Sequence, residues 1–535
     1  MIDLRTNPDR YHHWTLKLGD QSAELILDVD EHKTIGTGYQ LKMNSYDLGV
    51  DIELADALER LRLTYPQITT VLVRSGKDRV FCAGANIGML AGATHQHKVN
   101  FCKFTNETRL FMEGAPAHFI AVVEGTAAGG GYELALSCDT IVLVDDGSAS
   151  VSLPEVALLA VLPGTGGLTR LTDKRNLRRD RADYFCTLEE GISGQRALDW
   201  QLVDHLVPRS GLDRLLDKLV TSHERIDPPP GPGIALNDID RELTDDTIRY
   251  RHLQADIDRN NGVVTIEILG PTELPASSAE LLGQGDASWL IAAARELNDL
   301  LCHLRFNEAT VGTLLIKSHG DLALAQRYSE LLLQWRGEWI VDEGLALWQR
   351  TLARLDLTSR SIMSSIDDAS CFAGPLAELI FASDRSYFLD NGEPGLVLNR
   401  LNFEAFPMMN GLSRLATRFW GHPEQLGALE SLINQPLDAI AAQDKGLVTF
   451  TPDTYDWEDE LRLALDGRNA FSPDALTAME ANLRFAGPES MATKIFGRLS
   501  AWQNWVFNRP NAVGPEGALQ RYGTGLTTNF QRERI

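Results

Sequence analysis

A glycine triplet directly ahead of a glutamate, in Ala128-Gly129-Gly130-Gly131-Tyr132-Glu133-Leu134, is the part of this chain best equipped for chemistry. Glycines let the backbone come close to a ligand, and the first turn of a helix aims free N–H groups at developing negative charge. Glu133 stands one short step from those N–H groups. An N–H donor for an oxyanion and a carboxylate for a proton are the minimum needed for proton transfer next to a carbonyl. Upstream, Val71-Leu72-Val73-Arg74-Ser75-Gly76 predicts a buried strand. It leads to the small-residue turn Phe81-Cys82-Ala83-Gly84-Ala85-Asn86-Ile87, where a second N–H can be offered. Downstream, Val151-Ser152-Leu153-Pro154-Glu155 brings a second carboxylate, and Pro163-Gly164-Thr165-Gly166-Gly167-Leu168 another glycine-rich turn into a helix.

Four blocks, FCAGANI, VVEGTAAGGGYELALSCD, SLPEVALLAVLPGTGGLTRL and, more weakly, GISGQRALDWQLVDHLV, follow one another across roughly residues 20–210. In order and spacing they resemble the crotonase (enoyl-CoA hydratase/isomerase) superfamily. The resemblance implies an α/β fold in which ββα turns form a spiral of two stacked sheets flanked by helices, with an acyl-CoA thioester in the crevice. By position, Ala85 and Gly130 would give the two oxyanion N–H groups, and Glu133 and Glu155 the acid/base pair. Gly84, Asn86, Ile87 and Gly129 would line the CoA and substrate. Asn86 is a departure, since the family often has Asp there, and it alters contacts near the nucleotide end of CoA. No cofactor is implied beyond the CoA of the substrate itself, and no metal.

Two N–H donors on a thioester oxygen stabilise an enolate-like charge, and losing one donor typically costs ~3 kcal/mol of barrier. A carboxylate pair can hold a water between them, one group taking its proton while the other delivers one elsewhere, and in a desolvated cleft their titrations couple. That chemistry is water addition to an unsaturated acyl-CoA. Chain length, a degenerate second half and a helical C-terminal part narrow the resemblance to a ring-cleaving branch of the superfamily. That branch implies 2,3-epoxy-2,3-dihydrobenzoyl-CoA as substrate, two waters consumed, and formate and 3,4-didehydroadipyl-CoA semialdehyde as products. A plain enoyl-CoA hydratase or isomerase is the alternative, and a non-catalytic acyl-CoA-binding or scaffold protein is one of another class. Cys102, just beyond the oxyanion turn, is read as a buried structural thiol with pocket lining as its other role.

The second half repeats the first. Residues 263–269 match 23–29, 296–305 match 53–62, 314–318 match 71–75, 378–384 match 133–139 and 411–415 match 167–171, at an offset near ~244 residues. The copy has lost specific groups. Pro375 aligns with Gly130 and has no N–H to donate. Ala325-Gln326-Arg327-Tyr328 aligns with the oxyanion turn, Asn399 with Glu155, and only Glu378 survives, read as structural. The expected organisation is a catalytic crotonase-like domain over 1–226, a Pro-rich linker and connecting segment over 227–261, a degenerate crotonase-like domain over 262–465, and a helical region and tail over 466–535. Ser472 and Pro473 predict a helix start, a second helix should cover 489–505, and these helices are expected to fold back over a catalytic domain. Trp502, Trp505 and Phe507 are read as core.

With 535 residues the chain supports two or three domains. The formal charge of −24 disfavours nucleic acid as a partner. It also requires local positive charge for an anionic CoA, for which residues 174–181 are the densest basic run, a solvated helix face being the other reading. The six cysteines show no metal-ligand spacing and read as free thiols. The expected setting is cytoplasmic, without membrane contact, and a homo-oligomer, with a dimer among the arrangements a fused pair of domains allows.

Overall fold

The first strands alternate as the sequence predicts. In the computed structural model β1 (Trp14–Leu18) and β2 (Ser22–Leu27) form an antiparallel hairpin, and Ala23, Leu25 and Leu27 of β2 point into the core. The structure describes residues 1–223 and 231–535, in two units, Ile2–Asp238 and Ile239–Ile535. Residues 227–230 of the expected Pro-rich linker lie outside the described residues.

In the N-terminal unit β2 is followed by α1 (Leu48–Leu63), β3 (Thr70–Ser75), β4 (Val80–Cys82), α2 (Ile87–Gly92) and α3 (His95–Glu113). Then come β5 (His118–Val123), β6 (Thr126–Ala128), α4 (Gly130–Ser137), β7 (Thr140–Val144), β8 (Ser150–Ser152), α5 (Glu155–Leu159) and, later, β9 (His205–Val207). The main sheet runs β1-β2-β3-β5-β7-β9, parallel from β2 onward, with Leu25 opposite Val73 and Val71 opposite Phe119. Its inner strands read as unbroken apolar runs because helices and loops cover both faces. A small parallel sheet, β4-β6-β8, sets Cys82 beside Ala127 and Ala127 beside Val151. Three parallel strands side by side deliver three successive turns to one edge, the place where parallel α/β sheets hold their ligands. The oxyanion turn follows β4, the glycine triplet follows β6, and Glu155 follows β8.

The C-terminal unit has a main sheet of β10 (Glu242–Leu243), β11 (Thr247–Arg249), β12 (Leu253–Asp258), β13 (Val263–Leu269), β14 (Thr313–His319), β15 (Ser361–Ile366) and β17 (Arg385–Phe388) in that order. A small sheet joins β16 (Phe372–Ala373), β18 (Leu396–Val397) and β19 (Pro436–Leu437). As with β2, β13 pairs antiparallel to the strand before it and parallel to the one after, with Ile266 opposite Ile316. The stretch aligned with the oxyanion turn is not a turn at all. Ala325 to Tyr328 sit within the helix Leu322–Gln334, whose N–H groups are used along the helix, Ala325 N donating to Asp321 O at 3.0 Å.

The terminal helices form where expected. Ser472 caps Pro473–Leu483, and Ser490 caps a continuous helical run that spans Met491–Thr493, a π-helical Lys494–Leu499 and Ser500–Val506. Their docking differs from the expectation, for they belong to the C-terminal unit, and Pro473–Leu483 lies on β15 of its sheet. Charged residues explain why. Arg484 reaches Asp384 at 2.7 Å and the carbonyls of Thr358 and Arg360, while Arg468 pairs with Glu480 at 2.6 Å. Near the chain end Arg534 is buried against Ser359 O at 2.9 Å, so the last residues pack onto the C-terminal unit, while Leu519, Tyr522 and Leu526 of the tail stay exposed. Phe507 is not core: it is 54 % exposed, and Trp502 and Trp505 are half-buried in an edge-to-face pair.

Candidate active site

The turn after β4 is held from behind by Asn44, fully buried, whose side chain donates to Leu27 O and Ser75 Oγ at 2.9 Å and accepts from Val29 N. Three backbone bonds then fix the turn itself: Ala83 N to Met43 O, Tyr46 N to Gly84 O, and Asn86 N to Tyr46 O. Ala85 N is skipped by this ladder and has no acceptor among the described residues. On the adjoining strand Gly129 takes φ 54°, ψ −129°, a conformation only glycine enters without strain, and turns the chain from β6 into α4. Gly130 is the first residue of α4, so its N–H has no partner within the helix. A Cβ on Gly84 would stand 2.7 Å from Gly130 N, and one on Gly130 would stand 3.2 Å from Ala85 N. The two expected oxyanion donors therefore converge, and the glycines are required by that closeness.

Glu133 lies one turn into α4 and is 2 % exposed. Both of its oxygens are held: Thr165 Oγ donates a short hydrogen bond to one, and Gly167 N donates to the other at 2.7 Å. Burial pushes its carboxyl above the usual range, opposed by those two donors and by the charge of Arg109. Glu155 opens α5 and is 8 % exposed, with Oε2 buried and unpartnered. Its Oε1 would be 2.8 Å from a Cβ on Gly129, which puts the carboxylate against the glycine turn. Burial first, then the charge of Glu133, push the Glu155 carboxyl up to about 7. One carboxylate is thus gripped in place and the other is poised to change protonation near neutrality, as acid/base chemistry requires.

Asn86 caps α2, accepting from Met89 N, and its amide donates to Gln40 O at 2.7 Å and Ser45 Oγ at 3.0 Å. An aspartate could make the cap but neither donation, so Asn86 braces the groove wall through the protein rather than offering its own side chain. Beside it Ile87 is 57 % exposed. A groove of about 670 Å³, lined by Tyr39, Gln40, Lys42, Met43, Ala85 and Ile87, opens from the oxyanion turn. Of the basic run, Lys174 pairs with Glu113, Arg175 with Asp204 and Arg178 with Asp180, so these cations are engaged by carboxylates. Lys42, inside the groove and exposed, is the cation placed to meet an anionic ligand. Cys102 is half-buried on α3, and its thiol is pushed up to about 11 by burial and then by the nearby charge of Glu133.

Several residues carry no chemical signature in the sequence yet surround this site. Asp51 and Arg109 form an ion pair at 3.2 Å, each about 1 % exposed, and Thr105 donates a short hydrogen bond to Asp51. Arg109 stands 5.7 Å from the centre of the Tyr46 ring, whose other neighbour is Phe101. The one hint is a charge placed in an apolar helix face, Asp51 with Leu48, Leu54 and Ala55 one turn away. In the C-terminal unit, Glu378 is fully buried but spent, accepting from Arg414 at 3.0 Å and Asn402 at 2.9 Å, and Arg414 also pairs with Asp356 at 2.6 Å.

A family model for enoyl-CoA hydratase/isomerase matches residues 40–261. The benzoyl-CoA-dihydrodiol lyase of Aromatoleum evansii is 48% identical over 544 aligned positions, covering 100% of this chain and 98% of that one. The fatty acid oxidation complex subunit alpha of Aliivibrio fischeri is 31% identical over 38% of this chain and 28% of its own length. An enoyl-CoA hydratase crystal structure from Geobacillus kaustophilus HTA426 is 33% identical, covers 40% of this chain and 75% of that one, and superposes with a TM-score of 0.36. The chain belongs to the family of the Aromatoleum benzoyl-CoA-dihydrodiol lyase, with an enoyl-CoA hydratase/isomerase domain in its N-terminal half.

Proposed function

We propose that this protein is a ring-cleaving lyase of aerobic benzoyl-CoA degradation, converting 2,3-epoxy-2,3-dihydrobenzoyl-CoA and two waters to 3,4-didehydroadipyl-CoA semialdehyde and formate. The observation that carries this reading is the 48% identity spread over the whole length of both chains, rather than over the hydratase-like domain alone. The site chemistry agrees with it. Ala85 N–H and Gly130 N–H take the thioester oxygen, making the conjugated ring an electron sink. Glu133, with both oxygens already fixed by Thr165 and Gly167, is the carboxylate that orients and deprotonates water. Glu155, with a free Oε2 and a carboxyl pushed up to about 7, delivers a proton to the opening epoxide oxygen and takes part in expelling the one-carbon unit. Gly84, Ile87 and Gly129 shape the substrate wall, Asn86 braces it, and Lys42 receives the CoA phosphates. No cofactor is required besides the CoA of the substrate.

The C-terminal unit is, in this reading, a crotonase-like copy that has lost its site, with a first domain over 1–226, a helical region over 466–535, and a second domain that extends beyond the expected 262–465, because strands β10 to β12 of the expected connecting segment 227–261 pair into its sheet. Its support is the shared parallel order of the main-sheet strands, β2-β3-β5-β7 and β13-β14-β15-β17, the helix where the oxyanion turn would be, Pro375 in place of Gly130, and a surviving glutamate held by Arg414. A cytoplasmic homodimer completes the proposal. Large exposed apolar side chains such as Met491 and Phe496, each 77 % exposed, fit a subunit contact, and light scattering on the purified protein reads its mass directly.

Purified protein assayed in parallel with the epoxide and with crotonyl-CoA tests the activity. The proposal expects formate and aldehyde in equal amounts from the epoxide and slow hydration of crotonyl-CoA. Fast hydration without formate release establishes the enoyl-CoA hydratase reading instead.

A further inference from the structure

Tyr46 occupies the floor of the oxyanion turn, and among the described residues none accepts its hydroxyl proton. The side chain is 2 % exposed, and Oη is buried without a hydrogen-bond partner. The single point where a Gly130 Cβ would stand lies 2.2 Å from Tyr46 Oη and 3.2 Å from Ala85 N. The backbone of Tyr46 is part of the same turn, bonded to Gly84 O through its N and to Asn86 N through its O. Its position is therefore fixed by the residues that present the oxyanion N–H groups.

We infer that the Tyr46 hydroxyl is a third hydrogen-bond donor to the thioester oxygen of the bound acyl-CoA, beside Ala85 N–H and Gly130 N–H. The inference rests on the reading of this site as one that polarises a CoA thioester, and deepens it. A buried hydroxyl without a partner costs free energy that a phenylalanine of the same shape would not, which marks a group that waits for a ligand. Burial keeps the phenol protonated, so it remains a donor. Arg109 stands beside the ring and its charge acts on the hydroxyl. A guanidinium has only donors, so it can approach the phenol oxygen but cannot use its proton. That arrangement leaves the proton for the substrate and makes the phenol a stronger donor. The pair Asp51 and Arg109 thereby acts as support for Tyr46, held in place by Thr105.

The test uses the full chain and para-dimethylaminocinnamoyl-CoA, a push–pull thioester whose absorption band moves to the red as its carbonyl oxygen is polarised. Wild-type protein is expected to give a clear red shift, and Tyr46→Phe a smaller one at saturating probe. On the epoxide, Tyr46→Phe lowers kcat by about 10- to 100-fold with KM changed less than threefold, as a donor used mainly in the transition state does. Its Tm stays equal or rises, which a merely structural role would not give. Incorporating 3-fluorotyrosine at position 46 keeps the shape and strengthens the donor, so the band moves further to the red. An unchanged band in both variants, with wild-type shifting, overturns the role of Tyr46 and leaves the site reading standing. A wild-type protein that binds the probe without any shift overturns the site reading, and this inference with it.

Discussion

Glu155 is the residue on which the pH behaviour of the site turns. Its carboxyl moves from an ordinary 4.5 to about 7 through burial first and the charge of Glu133 second. The folded protein therefore holds a proton there between about 4.5 and 7 that the unfolded chain has lost. The group then costs stability as pH rises through that window. Glu155→Gln removes the cost, so its Tm at pH 8 should exceed that of the wild type by the equivalent of about 1–3 kcal/mol, with the gain vanishing near pH 4. As the proton donor, Glu155 also makes kcat fall as pH rises through about 7, and a pH profile of the epoxide reaction checks it. Gly130→Ala would drive a Cβ to 2.2 Å from Tyr46 Oη and disturb the donor N–H, so turnover should fall about 100-fold or more in a steady-state assay. The glycine triplet and both glutamates were legible because their chemistry depends on residue type in a short stretch. Tyr46, Thr165, Asp51 and Arg109 were not, because each acts through contacts between residues 30 or more positions apart or through a missing partner.

The small sheet β4-β6-β8 does for the site what no single element can, since it registers three strand ends whose turns are distant in sequence. The strands themselves were readable from alternation and apolar runs, and the helix start at Ser472 from its cap, whereas the cap at Ser490 was not singled out. Where the terminal helices dock was not readable, because periodicity shows which face is apolar but not which surface covers it. Their attachment rests on buried charge. Arg484→Ala leaves Asp384 without its partner and frees three backbone carbonyls. It should destabilise the protein by about 3 kcal/mol, read as a lowered denaturant midpoint. The basic run 174–181 teaches the same limit, since a charge cluster in sequence says nothing about the Glu113, Asp204 and Asp180 carboxylates that engage Lys174, Arg175 and Arg178.

Across the whole molecule, the proposed chemistry belongs to the N-terminal unit, and the C-terminal unit keeps a buried glutamate held by Arg414 and Asn402. Glu378→Gln should leave epoxide turnover within twofold of wild type. Burial pushes the Glu378 carboxyl up to about 7 in spite of Arg414, so carrying the charge costs stability above that window, and Tm at pH 8 should not fall in this variant, where Arg414 keeps Asp356. The repeat was visible in the sequence as a constant offset, and so were its losses at Pro375 and Asn399. The replacement of the oxyanion turn by a helix was only half visible, as the disappearance of glycine. The most direct measurement is formate released from 2,3-epoxy-2,3-dihydrobenzoyl-CoA by Glu133→Gln and Glu155→Gln, each shown by melting and ligand binding to be folded and loaded. Both should fall at least 100-fold below wild type. Full turnover in both variants would contradict the proposed acid/base pair.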